Sequence, residues 1–243
     1  MQYWCVTDPG CLRPQNQDTY QVENLDRNTL LCVVCDGMGG AKSGNVASTL
    51  AADVFVQEVK RSWVSDMDQE KSDRMLLGAV KLANFTVYDQ SRQFEEFSGM
   101  GTTLVAALIK GRQMTVVNVG DSRAYSIDRD GVTQLTRDHS LVQMMVERGE
   151  LSPERAKYYP GKNFITRAIG TEPVVNCDLF HRTASGGDCL LLCSDGLSNL
   201  VDEQEILFEV VHGLRKQQCC ESLLNIAKNR GAPDNVTCVL VQI

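Results

Sequence analysis

Four short apolar runs, joined by connections too short for a crossover, limit what this chain can fold into more than anything else in it. Residues 102–109, 114–119, 123–127 and 132–135 are apolar or β-branched, and only KGRQ, GDS and DRDG separate them. A parallel pairing needs a dozen or more connecting residues, so strands joined this closely pair antiparallel. Several of them, TTLVAALI above all, are apolar on both faces. Such a strand needs a cover on each side, a second sheet on one and helices on the other.

The rest of the chain supplies those layers. Strands are predicted near residues 3–8, 19–23 and 30–35, followed by a helix over 45–61 in which Val46, Leu50, Val54, Phe55 and Val59 keep helical spacing, and a second over 74–93. From 135 to 165 the sequence turns polar and irregular, with a short helix over 141–147 and another begun by Ser152 as N-cap and Pro153 at N1. A stretch with so few core residues lies on the surface. Strands return at 177–181, 188–193 and 236–243, with two helices between the last two, the first opening on Asp202 and Glu205 at capping-box spacing. No repeat or Pro/Ser-rich linker divides the 243 residues, so a single domain over 1–243 is expected.

Thirty-one acidic against 24 basic residues give a formal charge of −7, without any Lys/Arg-rich block. Nucleic acid and anionic membrane are therefore poor partners. The first residues lack the pattern of a signal peptide and the apolar runs fall short of a membrane span, so a cytoplasmic protein is expected. Ten cysteines raise the question of metal or disulfides. The one CxxC, Cys32 and Cys35, lies inside a strand-like run, where residues three apart point to opposite faces. Cys5, Cys32, Cys189, Cys193 and Cys238 sit among Val and Leu and read as small hydrophobes in a reducing compartment.

Chemistry is concentrated at Asp36, Asp195 and Asp234, each at the edge of an apolar run: LLCVVCDGMGG, CLLLCSDG and APDNVTCVLV. A carboxylate there is held by rigid backbone at the rim of a core. Singly, an Asp-Gly pair is a turn. Together, three such anions share one place only if cations neutralise them, and oxygen-only donors suit Mg²⁺ or Mn²⁺. Gly37 lets the chain approach closely enough to add a backbone carbonyl. Two such ions about 3.5–4 Å apart activate a bridging water and clamp a phosphoryl group. Near the start, TDPGCLRPQNQDTY offers Arg13, whose planar fork matches phosphate oxygens, with a surface ion pair as the alternative.

RPQNQD, DGMGG, MGTT, VGDSRAY, TRDHSLV, SDGL and APDNVT occur in the order found in the metal-dependent protein phosphatases, the type 2C serine/threonine phosphatases, and the chain most resembles their compact bacterial branch. The resemblance implies an α+β fold, a sandwich of two antiparallel β-sheets flanked by α-helices on both outer faces. It implies Asp36 as bridging ligand with the Gly37 carbonyl, Asp195 and Asp234 completing the first of two tightly held Mn²⁺ or Mg²⁺ ions, and Asp121 joining Asp195 at a weaker third. It gives Asp18 the task of orienting a water and makes residues 137–165 a flap beside the substrate cleft. Phosphorylated proteins are the implied partners, among them a serine/threonine kinase and its targets, and the protein is expected to act as a monomer.

Two positions depart from the family. Many relatives carry an acid where Gln17 stands, and a neutral amide loosens the second metal. Eukaryotic-type relatives carry His where this chain has Met38, which cannot donate a proton. His139, in the flap, is the replacement to weigh, against a structural hydrogen-bonding role. Two other functions compete. GMGGAKSG resembles a nucleotide-binding P-loop, but Ala41 precedes Lys42 where glycine is needed, and Asp36 would repel phosphates. A noncatalytic phosphopeptide-binding relative would have no need to keep Asp36, Asp195 and Asp234 together.

Overall fold

A computed structural model describes residues 1–38, 43–156, 158–213 and 215–243. The glycine-rich half of the P-loop-like string, residues 39–42, lies outside the described residues.

In chain order the strands are β1 (Gln2–Asp8), β2 (Asp18–Asp26), β3 (Thr29–Met38), β4 (Gly101–Thr102), β5 (Leu104–Lys110), β6 (Gln113–Val119), β7 (Arg123–Ile127), β8 (Val132–Gln134), β9 (Asp178–Thr183), β10 (Cys189–Cys193) and β11 (Val236–Gln242). The helices are α1 (Gly44–Ser62), α2 (Gln69–Gln93), α3 (Leu141–Glu147), α4 (Pro153–Ala156), α5 (Asp195–Ser198), α6 (Glu203–Leu207) and α7 (Cys219–Asn229). One sheet runs β2-β3-β5-β6-β9, with β4 paired to β3, and the other β1-β11-β10-β7-β8. Every strand pairing among the described residues is antiparallel, which is incompatible with a parallel nucleotide-binding sheet.

Period-two alternation divides the apolar strands between two covers. Leu31, Val33, Cys35, Leu104, Ala106 and Leu108 face α1 and α2. Leu30, Cys32, Val34, Val105, Ala107 and Ile109 face the other sheet, meeting Leu190, Leu192, Val239 and Val241. On the far side of that second sheet, Leu191, Cys193, Cys238 and Leu240 pack against Leu197, Ile206, Leu223 and Leu224 of α5 to α7. The result is helix, sheet, sheet, helix. Cys32 and Cys35 fall in different cores, as alternation along one strand requires.

Three local readings need correction. The connection GDS does not join neighbours in one sheet: β6 and β7 belong to different sheets, and the chain crosses between them at Gly120 and Asp121. Gly120 permits the crossing because its φ is +108° and a Cβ there would lie 2.6 Å from the Thr103 side chain. The second helix starts at Gln69 rather than 74, since Asp68 caps it by accepting the Lys71 N–H at 2.8 Å. Asp195 opens a helical turn of its own ahead of the Asp202–Glu205 capping box, whose reciprocal hydrogen bonds are both present.

Candidate metal-dependent active site

The end of the sandwich where β3, β10 and β11 are joined to their neighbours opens into a cleft of about 430 Å³. Arg13, Asp36, Gly37, Asp121, Asp195 and Asp234 all line it. Strand register explains how residues so distant converge. Asp36 lies near the end of β3, and its backbone is held by Thr103, which accepts the Asp36 N–H on Oγ1 at 2.9 Å and donates its own N–H to the Asp36 carbonyl at 2.9 Å. Asp195 follows directly after β10 through Ser194, and Asp234 stands two residues before β11. Asp121 sits at the crossing from one sheet to the other.

Gly37 is required by backbone packing. A Cβ there would lie 2.0 Å from the Gly44 carbonyl oxygen and 2.6 Å from that of Gln17, while the Gly37 N–H donates to the Gln17 carbonyl at 3.1 Å. The β3 end is thereby pressed between the start of α1 and the loop that carries Arg13. Gln17 also lines the cleft.

Asp18 lies behind this wall and does not line the cleft. It is 8% exposed, its Oδ2 accepts the Ser194 hydroxyl at 2.8 Å, and its Oδ1 has no hydrogen-bond partner. Burial, aided by Asp195 and Asp234, pushes its pKa up to about 7. Burial followed by repulsion from Asp18, Asp195 and Asp121 pushes Asp36 well above the carboxylate range. Asp121 rises to about 8 by burial and then by Asp195, and Asp195 rises by burial and then by Asp234. Each of these groups resists the charge the others carry.

That surplus of buried negative charge, with an orphaned Asp18 oxygen, is the pattern a cation site presents. The donors are oxygen only, which fits Mg²⁺ or Mn²⁺ and not zinc. Among the described residues no three His, Cys, Asp or Glu side chains close on one point. The carboxylates instead line a cleft with room for water, the setting of an ion that keeps part of its hydration shell.

Arg13 reaches over Asp234, donating from Nη2 to Oδ2 at 2.9 Å, with both side chains partly open to solvent. Met38 lines the cleft and His139 does not. His139 is buried and occupied, its Nδ1 accepting the Gly120 N–H at 3.1 Å and its Nε2 3.2 Å from Asp178 Oδ2, so the structural reading of this histidine holds.

Several contributors were not singled out by sequence. Asn163 and Ile165 bring the flap to the cleft wall. Nothing but their place in the irregular 137–165 stretch could have marked them. Asn235 is the residue that ties the Arg13 loop down: its Nδ2 donates to the Pro9 and Gln15 carbonyls at 2.9 and 3.0 Å, and its Oδ1 accepts the Gln17 N–H at 2.8 Å. Ser194 and Thr103 brace Asp18 and Asp36 as described above. All three of these bracing residues lie inside recognisable motifs, yet only contacts across the fold reveal their roles.

Two sheets back to back, helices outside and an acidic cleft at one end define a class, the phosphatases that work with hard divalent cations. The sequence profile of protein phosphatase 2C matches residues 14–226. The chain is 37% identical over 238 residues to the serine/threonine phosphatase stp of Listeria innocua, covering 97% of this chain and 93% of that protein. It is 35% identical over 247 residues to protein phosphatase PhpP of Streptococcus pneumoniae, covering 100% and 98%. The crystal structure of serine/threonine phosphatase Stp1 from Staphylococcus aureus superposes with a TM-score of 0.94 at 36% identity, covering 100% of this chain and 94% of that one. The chain belongs to the protein phosphatase 2C family. It is a phosphoprotein phosphatase, a hydrolase. No helix among the described residues is long and apolar enough to cross a membrane.

Proposed function

We propose that the protein hydrolyses phosphoserine and phosphothreonine in proteins, with water as the direct nucleophile. The observation that carries this is the convergence of Asp36, Asp121, Asp195, Asp234 and Arg13 on one cleft. In this reading Asp36, the Gly37 carbonyl, Asp195 and Asp234 hold two Mn²⁺ or Mg²⁺ ions, and Asp121 with Asp195 a weaker third. Those ions would supply the Lewis acidity that makes a water nucleophilic near neutral pH and offsets charge on the phosphoryl oxygens.

The chain's own residues do the rest. Arg13, exposed and held by a single carboxylate, can swing its fork from Asp234 to the phosphate. Asp18 would act from behind the cleft wall, Ser194 fixing its Oδ2 and leaving the buried Oδ1 to orient a water. Among the described residues lining the cleft the one hydroxyl is that of Thr103, and it is engaged by the Asp36 N–H and by Ser122 Oγ at 2.7 Å. That argues against a hydroxyl nucleophile of the chain itself. Met38 has no proton to give and His139 does not line the cleft, so the leaving oxygen would take its proton from water or from another residue.

Phosphorylated proteins are the substrates in this reading, and since a protein kinase must make every such phosphoester, a serine/threonine kinase and its targets are the proposed partners. Activity on a phosphothreonine peptide should vanish with chelator and return with Mn²⁺ or Mg²⁺. Full activity in a rigorously metal-stripped sample would overturn the assignment.

A further inference from the structure

His139 stands at the foot of the flap, 5% exposed. Its ring accepts the Gly120 N–H on Nδ1 at 3.1 Å, and its own backbone N–H donates to the Gly120 carbonyl at 2.9 Å. A neutral imidazole has one ring proton, so acceptance at Nδ1 places that proton on Nε2. From there it reaches Asp178 Oδ2 at 3.2 Å. Arg167 Nη1 is 3.1 Å from the same Nε2. With a proton already there, Arg167 donates instead to Asp178 Oδ1, also at 3.1 Å.

Backbone bonds close the two ends of the flap on each other beside His139. The Thr166 N–H donates to the His139 carbonyl at 2.7 Å, and the Leu141 N–H to the Phe164 carbonyl at 2.8 Å. Asn118 Nδ2 adds bonds to the Gly120 and Arg137 carbonyls at 3.2 and 3.1 Å. One nitrogen of His139 therefore holds the turn that presents Asp121. The other holds the Asp178–Arg167 pair at the flap's exit, two residues beyond cleft-lining Ile165.

We propose that His139 is a positioning residue whose two ring nitrogens divide the work: Nδ1 sets the Asp121 turn for the weaker cation, and Nε2 sets the flap for the phosphopeptide. The inference rests on the metal-dependent phosphatase reading above. It goes beyond that reading in assigning the link between cation site and flap to one buried side chain that touches neither substrate nor ion.

Two isosteres separate the halves. In His139→Asn the side-chain oxygen replaces Nδ1 as acceptor for Gly120 but nothing reaches Asp178. In His139→Gln the amide nitrogen replaces Nε2 as donor to Asp178 but Gly120 loses its acceptor. With substrate absent, a Mn²⁺ thermal-shift titration should leave His139→Asn close to the unaltered protein and move His139→Gln to roughly tenfold higher Mn²⁺. KM for a phosphothreonine peptide should rise roughly tenfold in His139→Asn and stay near normal in His139→Gln. Asp178→Ala, which leaves His139 in place but removes the acceptor for its Nε2–H, should reproduce the His139→Asn pattern. Equal losses of thermal stability in all three, with unchanged KM and Mn²⁺ titration per folded molecule, would reduce His139 to a structural residue and overturn the proposal. Absence of any Mn²⁺ response in the unaltered protein would sink the metal reading itself, and this proposal with it.

Discussion

Asp18 and Asp36 stand opposite one another in the β2–β3 ladder, so two carboxylates occupy facing positions where edge strand β2 pairs with buried β3. Each is braced by a hydroxyl, Asp18 Oδ2 by Ser194 at 2.8 Å and the Asp36 N–H by Thr103 at 2.9 Å. Ser194 belongs to the second sheet, where it also accepts the Thr237 N–H at 3.0 Å. The brace on Asp18 thus spans the sandwich. Rigid backbone holds together charges that would otherwise separate, and that is the condition for a site whose affinity is set by repulsion waiting to be relieved.

The metal-free protein should lose stability as pH rises. An acid whose folded pKa lies above its unfolded value binds its proton more tightly when folded, so its penalty is absent at low pH and complete above the folded pKa. Burial takes Asp18 from 3.8 to about 7 and Asp121 from 3.8 to about 8. With chelator present, Tm should therefore fall by several degrees between about pH 5 and about pH 8, and saturating Mn²⁺ should restore it at the upper end. A Tm that is flat or rising over that range in chelator would contradict the burial of these acids.

Asp36→Asn, Asp195→Asn and Asp234→Asn should each remove activity on a phosphothreonine peptide by more than the roughly 100-fold that an outer partner of a metal costs. None should unfold the metal-free protein, because each removes one member of a mutually repelling set. Calorimetry with Mn²⁺ and circular dichroism on the same samples would check both halves. Near-normal turnover in any one would take that residue off the site.

The layers of the fold were legible because strict alternation and short connections leave few arrangements. Leu30 to Cys35 alternates between two cores, and TTLVAALI needs both covers. The β6–β7 crossing was not legible, because three residues between two apolar runs read as a hairpin; that only glycine fits at 120 shows in the fold alone, where Thr103, remote in sequence, leaves no room for a Cβ. The same limit governs the site. Aspartates at strand ends announce themselves by residue type and edge position. Asn235, Ser194 and Thr103 are ordinary polar residues whose value comes from partners far away in the chain.

Arg13→Ala should raise KM for phosphopeptides roughly tenfold with a smaller change in kcat, provided the guanidinium grips phosphate alike in ground and transition states. The Arg13–Asp234 pair adds a condition. Both side chains are partly exposed, 53% and 37%, so little stability is at stake and Tm should scarcely move. Steady-state kinetics over a range of peptide concentrations would decide the matter. A fall in kcat at constant KM would move Arg13 from binding into stabilisation of the transition state.

Asp121→Ala separates a ligand from a turn residue most sharply. Asp121 follows a glycine at φ +108° in the crossing between sheets, a place where an aspartate often serves only to cap local backbone. Its surroundings point elsewhere: burial and then Asp195 are what raise its pKa, to about 8, and it lines the cleft together with Asp36 and Asp234. Its charge is felt by Asp36 as well, which a residue serving only the turn would not require. The variant should keep its fold, keep most of the stabilisation that low Mn²⁺ confers through Asp36, Asp195 and Asp234, and lose most activity on phosphopeptides, with excess Mn²⁺ rescuing it in part. Its metal-free form should also lose less stability on passing from about pH 5 to about pH 8, since one of the raised acids is gone. A variant that melts earlier yet is fully active per folded molecule would assign Asp121 to the turn alone.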